Sequence, residues 1–257
     1  MALFQHPVGP QPTQSFPARL PVASALIVAA LCLAAGASIV PAARAQDLTA
    51  EQILTRLQEA NRRRDELLAG WQVTRRYHLK NELSKNETKS EVDARFDAPA
   101  QLTFTTRSLE GSGTLAKQVF GRMMDGEKES VQPDARRRSA LTSENYQFQL
   151  VGREVLNGRP AYKLAITPKR EDTFLVEGHI WVDAADFAVV RGQGRAVKRP
   201  SFWTRSIQLV RTFKKVGPFW LPHRTESTNE VLLFGTTWVT IENGDYRVRL
   251  KPAPNAR

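Results

Sequence analysis

The side chains that could do chemistry in this chain are few and far apart. His78, His179 and His223 lie in three distant segments, without the close spacing that lets imidazoles share a metal ion. The one cysteine, Cys32, sits in an apolar run near the start, so the rest of the chain can form neither a disulfide nor a thiolate centre. Asp183 and Asp186 are close enough to pass for an acid–base pair, but their segment, VDAADF, has the composition of a hairpin turn, where aspartate is ordinary. Ser112, between Gly111 and Gly113, lacks the pattern of a nucleophile elbow, and no glycine loop for phosphate is present. These residues predict no enzyme, no metal and no cofactor. What remains is apolar surface. Leu115, Val119, Phe120, Met123 and Met124 fall on one face of a helix expected over residues 111–127. Methionine fills irregular apolar space and recurs at adaptable binding surfaces. Packing on a sheet is the ordinary role of such a face, and closing over an apolar ligand is the other.

Strands must position that helix, and they read most clearly in residues 146–195. Tyr146, Phe148 and Leu150 alternate with glutamines at the period of a half-buried strand. Asn157-Gly158 between apolar runs predicts a type I′ hairpin, because both residues tolerate positive φ. Tyr162, Leu164 and Ile166 line the returning strand; Ile180 and Val182 begin the next, with a turn at 183–186 before Phe187 and Val189. Ala188, Val190, Gly192, Gly194 and Ala196 are expected to share a face of small side chains, permitting a sharp bend or the close approach of a helix or ligand.

Before the meander, residues 47–69 predict a helix, with Thr49 and Gln52 as a capping box, Leu48 stapled to Ile53, and Gly70 as its stop. Its Arg62-Arg63-Arg64 triplet reads as a solvated face. Trp71 opens the first strand, Ser84-Lys85-Asn86 turns it, residues 87–96 return as an edge-like strand, and Leu102 and Phe104 mark a third. Residues 129–144, with Pro133 and Arg136-Arg137-Arg138, read as a mobile connector. Later strands are expected around Ile207 to Phe213 and Phe219 to Leu221, and a last hairpin over 231–250 turning at Asn243-Gly244. Trp71, Trp181, Trp203, Trp220 and Trp238 all lie in or beside strands, where core packing is the default.

Residues 21–40 are apolar and end on Ala43-Arg44-Ala45, which predicts a secretory signal peptide over 1–45 and one domain over 46–257. Cleavage there leaves 212 of 257 residues, enough for one sizeable core, and Leu31 before Cys32 does not fit a lipidation site. With Arg19 and Arg44 removed, 35 Lys+Arg face 26 Asp+Glu, a net +9. The basic residues are spread along strands rather than clustered with stacking aromatics, which argues against nucleic acid as a partner and leaves an anionic lipid surface, or simple solubility, as its use.

An opening helix, then WQVTRRYHL, DAPAQLTF, a lid-like helix and GHIWVDAADFAVVRGQGR together resemble the LolA/LolB-like superfamily of periplasmic lipoprotein-sorting carriers. VGREVLNGRPAYKLAITPKR is also similar to the large domain of MucB/RseB-type regulators. About ten strands, with one helix before them and one inserted, predict an α+β fold with a single curved antiparallel sheet. The resemblance implies that this sheet is an unclosed half β-barrel of about 10–11 strands, strongly bent, with helices covering its concave side. It implies a periplasmic monomer that uses no cofactor. Its cargo would be lipid or acylated lipoprotein, exchanged with a membrane-bound donor or acceptor. Cavity residues would be Leu102, Phe104, Leu115, Val119, Phe120, Met123 and Met124. In the carriers an arginine beside a proline at a strand end fastens the lid; here Pro99 follows Ala98, and Arg95 is the nearest candidate. The alternative implied function is an envelope-stress regulator working through protein contacts.

Overall fold

The computed structural model describes residues 48–83, 87–111, 114–198, 204–231 and 235–252; of 114–119, 204–205 and 231 it describes the backbone only. The expected leader, the turn at 84–86 and Trp203 lie outside these residues.

Helix α1 (Ala50–Leu67) starts on the expected capping box: the Thr49 hydroxyl accepts from the Gln52 amide, and the Gln52 side chain accepts from the Thr49 amide. Gly70 is not its stop. The helix ends three residues earlier because strand β1 (Leu68–Asn81) begins there, and Gly70 serves that strand: a Cβ would sit 2.3 Å from the Phe96 carbonyl oxygen of β2 (Glu87–Asp97). Strand β3 (Gln101–Glu110) follows, then α2 (Thr114–Ser130).

The expected connector contains a further helix, α3 (Pro133–Ser139), with Pro133 in its first turn, where a missing amide costs nothing. It is well tied. Arg136 donates to Asp65 of α1 at 2.7 Å, and the Asn145 amide donates to the carbonyls of Arg137 and Ala140.

The meander follows as β4 (Tyr146–Leu156), β5 (Arg159–Pro168), β6 (Val176–Asp183) and β7 (Val189–Ala196). Asn157 and Gly158 both take positive φ, 50° and 77°, as the type I′ reading required. Strands β8 (Thr204–Val216), β9 (Phe219–Val231), β10 (Gly235–Asn243) and β11 (Arg247–Leu250) complete the chain. Pro222 does not end β9, because the β8–β9 register shifts there, and a bulge tolerates the missing amide.

These strands form one antiparallel sheet of eleven among the described residues, ordered β3-β2-β1-β10-β9-β8-β7-β6-β5-β4 and not closed into a barrel. It is an α+β half-barrel. Strand β2 is interior to the sheet, and β3 and β4 are its edges. Strands β10 and β11 are not a hairpin: both pair with β1, β10 along Arg75–Asn81 and β11 along Leu68–Gln72.

The ladders carry one face across the whole sheet. Tyr77 stands opposite Ile241, Ile241 opposite Thr225, Thr225 opposite Arg211, Arg211 opposite Gly192, Gly192 opposite Ile180, and Ile180 opposite Leu164. Both long helices lie on this inner face. Ile53, Leu54 and Leu57 of α1 pack on Tyr146, Tyr162, Leu164, Ile166, Ile180 and Val182 at one end. Phe120, Met123 and Met124 of α2 pack on Tyr77, Val92, Val239 and Ile241 at the other.

The small-residue stripe on β7 is shorter than expected. A register shift at Trp181/Val182 divides it: Val190 packs outward on Trp181 and Ala161, while Gly192 and Gly194 remain on the inner face. Gly194 faces Gly178, and a Cβ on either would collide with the other strand's backbone at 2.1–2.2 Å. This close approach is where only glycine fits.

Candidate functional site

Between the patches covered by α1 and α2, the inner face is polar. Arg75 of β1 is 4% exposed, on the phase of Val73 and Tyr77 rather than with the solvent-facing Arg76. Its Nη1 donates to Glu127 of α2 at 2.5 Å, and its guanidinium lies over the rings of Trp71 and Phe104, 5.4 and 5.6 Å from their centroids. Burial works against its charge, but Glu127 more than offsets this and holds its pKa above the ordinary arginine value.

Arg211 of β8 is the second cation. Its Nε donates to the Thr225 hydroxyl at 3.0 Å, and among the described residues no carboxylate forms an ion pair with it. Burial lowers its pKa; Glu127 opposes that lowering, and the nearby positive charge of Arg75 adds to it. Tyr77 is pushed up to about 12 by burial, with Glu127 adding to the rise. Burial also raises Tyr246, whose hydroxyl donates to the Pro222 carbonyl at 2.8 Å.

Three buried polar atoms in this layer have no protein partner: Arg75 Nε, Tyr77 Oη and Asn243 Oδ1. They are neighbours, since Asn243 stands directly opposite Arg75 and Tyr77 is next on the same face of β1. Beside Arg211, Gly192 leaves open space: a Cβ built there meets nothing within 4 Å.

Several expected cavity residues come together around this layer. Phe120 is 4% exposed and meets Tyr77 edge to face, centroids 5.7 Å apart. Met123 and Met124 are half-buried on the same cluster, and so is Phe104. Leu102 is buried one residue pair along, opposite Phe96. Leu115 and Val119 lie in α2, but their side chains are outside what the structure describes. Arg95 is elsewhere. It projects to the outer face, ion-pairs with Asp97 at 2.7 Å, and borders a polar groove of about 370 Å³ with Asp93, Arg107 and Arg247. The arginine that binds the helix is Arg75.

Asp183 and Asp186 are structural. Asp183 is 1% exposed and accepts from the Ala185 and Asp186 amides and from Arg159 at 2.6 and 2.8 Å. Burial alone would raise its pKa, but the Arg159 bond and the two amides hold it below the ordinary carboxylate value. Asp186 accepts from Lys215, Trp220 and Arg159, and its own carbonyl and that of Phe187 accept from Arg64 of α1. Arg64 thus leaves the solvated triplet to clamp α1 onto the β6–β7 turn. Among the described residues no group of three or more His, Cys, Asp or Glu could hold a metal.

The signal that would have found Arg75 and Arg211 is their phase. Each repeats with apolar neighbours at a period of two, Val73-Arg75-Tyr77 and Ile207-Leu209-Arg211, and a charge on a buried phase points to a site.

No family model matches the chain, and no curated protein matches it. Solved structures similar to it include a DUF1329 family protein from Desulfovibrio piger (15% identity over 78% of this chain and 93% of that one, TM-score 0.43). A LolA superfamily protein from Nitrosomonas europaea is similar at 16% identity over 80% and 96%, TM-score 0.40. The Pseudomonas aeruginosa MucA/MucB complex is similar at 13% identity over 76% and 93%, TM-score 0.28. The LolA superfamily and MucB are the two groups that the sequence resembles.

Proposed function

We propose that this chain is a periplasmic binding protein that holds the acyl chains of lipids or lipoproteins on the inner face of its half-barrel, beneath α2. One observation carries the reading. Among the described side chains, helix α2 covers β1, β2 and β10 through Phe120, two half-buried methionines and an ion pair to Arg75. What it covers is apolar: Tyr77, Val92, Val239 and Ile241. Methionines at such a boundary accommodate chains of different shape. An amino-terminal signal peptide over 1–45, with a single domain after it, would deliver the protein to its cargo, and the net positive charge favours encounter with anionic membrane surfaces.

A second reading is favoured by edge strand β4, which exposes Val151 and Val155, at 53% and 70%. An unpaired edge with exposed valines suits strand addition by another protein, as a regulator would use. Native mass spectrometry of the protein isolated from its own envelope separates the two. Co-purifying lipid or acylated peptide supports the carrier; a stoichiometric protein partner without lipid supports the regulator.

A further inference from the structure

We propose that the polar layer at the centre of the inner face is an oxyanion site, in which Arg211 and Arg75 receive the carboxylate or phosphate head of an amphiphile whose chain lies under α2. This rests on the binding function proposed above and specifies its ligand class. The groups left over are mostly donors. Arg75 Nε and Tyr77 Oη are buried and make no hydrogen bond of normal geometry, although Tyr77 Oη lies near Arg75 and Glu127. Asn243 Oδ1 is the one acceptor among the leftover atoms, and the Arg211 guanidinium has only the Thr225 hydroxyl. Two arginines share this layer with one carboxylate, Glu127, which is engaged by Arg75. An excess of unmet N–H groups calls for an acceptor, and a guanidinium fork matches a two-oxygen anion. Space exists for it. Gly192, directly opposite Arg211, is open above its Cα, whereas Gly194, two residues on, is closed by the β6 backbone.

Arg211 is half-buried, and a guanidinium held in such a place without a carboxylate keeps donors free for water or for a ligand. The flanking surfaces decide what kind of molecule that is. Toward α2 lie Val239, Ile241 and the methionines; toward α1 lie Ile180 and Leu164. A small hydrophilic anion would leave those walls unused, and a neutral chain would leave the arginines unmet. An anionic head on an apolar chain uses both.

The test is titration calorimetry of the purified, delipidated protein with decanoate, decyl phosphate and 1-decanol. At least one anion should bind ten-fold or more tightly than the alcohol, and the better of the two identifies the head. Arg211→Gln should erase that preference, weakening the anion ten-fold or more relative to decanol, and Arg211→Lys should retain part of it. Arg211→Gln should also melt no lower than the parent, since it removes an unpaired charge. Equal affinity for the three probes, or a preference unaltered in Arg211→Gln, overturns the oxyanion site and leaves the acyl-chain reading standing. If none of the three binds, both readings fall. Should Arg211→Gln fail to fold, the arginine is structural and the site is refuted.

Discussion

Glu127→Ala separates a lid from a fixed wall. Arg75 and Glu127 have side chains 5% and 27% exposed, so removing the carboxylate strands a nearly buried guanidinium. If α2 cannot move, breaking such a pair costs ~3–5 kcal/mol. For a domain of this size 1 kcal/mol is worth ~2–4 °C, so a fixed α2 means a melting temperature lower by roughly 6–20 °C. The alternative is for α2 to lift. Its anchors among the described side chains are Phe120, worth ~1.5–3 kcal/mol when fully buried, and two half-buried methionines worth about half that each. Their gross sum, ~3–6 kcal/mol, is comparable to the cost of leaving Arg75 unpaired, and falls below it once the entropy of ordering the helix is subtracted. Opening therefore limits the damage. We expect the melting temperature to fall by less than about 5 °C, while hydrogen exchange of amides in 114–130 speeds about a hundred-fold, equivalent to ~2.7 kcal/mol. Exchange in β5 and β6 should not change. A fall of more than 10 °C, with α2 and β5 amides accelerating together, would show that α2 belongs to the global core and that the lid reasoning is wrong.

Met123→Ser with Met124→Ser should weaken acyl-chain binding more than it lowers stability. A core methionine truncation costs ~2–5 kcal/mol, but at a cavity roof each should cost roughly 1 kcal/mol; paired lipid titration and urea denaturation give the comparison. Asp183→Asn probes the clamp under α1. The folded pKa of Asp183 is depressed, so its ionised form stabilises the fold above the unfolded value of ~3.9 and ceases to as pH falls through the folded value. The stability gap between parent and variant should therefore be full at neutral pH and narrow progressively below about pH 4; a gap of constant size in urea titrations across that range would contradict this. Gly194→Ala should be strongly destabilising, because its Cβ would lie 2.2 Å from the Glu177 carbonyl oxygen, while Gly192→Ala should be nearly neutral in thermal melts.

Local chemistry was the part of the fold legible in the sequence. Asn157-Gly158 and the Thr49/Gln52 box each determine their own backbone, so no distant contact could overrule them. The α+β class and the order of elements followed from periodicity. What could not be read depends on long-range pairing. Asn243-Gly244 reads as a hairpin turn, yet β11 leaves its neighbour β10 to pair with β1, about 180 residues earlier in the chain. Bulges at Trp181/Val182 and Thr212/Phe213 reverse the faces of β7 and β8, so the small stripe was over-extended and Phe213 points outward. Residues 129–144 read as a mobile connector, yet Pro133 opens α3 within them. Helical spacing places Phe120, Met123 and Met124 on one face of α2, and all three pack on the cluster of Tyr77, Val92, Val239 and Ile241. Arg75-Arg76 looks like surface charge, and it is the period-two phase Val73-Arg75-Tyr77 that separates the buried arginine from the exposed one.

Photo-crosslinking with a diazirine-bearing fatty acid, mapped by peptide mass spectrometry, tests the location of the ligand most directly. The account predicts labels on α2 and on inner-face residues of β1 and β10, around Tyr77, Val239 and Ile241, competed away by unlabelled fatty acid. Labels confined to the outer face or to the β4 edge, or labels that excess fatty acid does not displace, would contradict it.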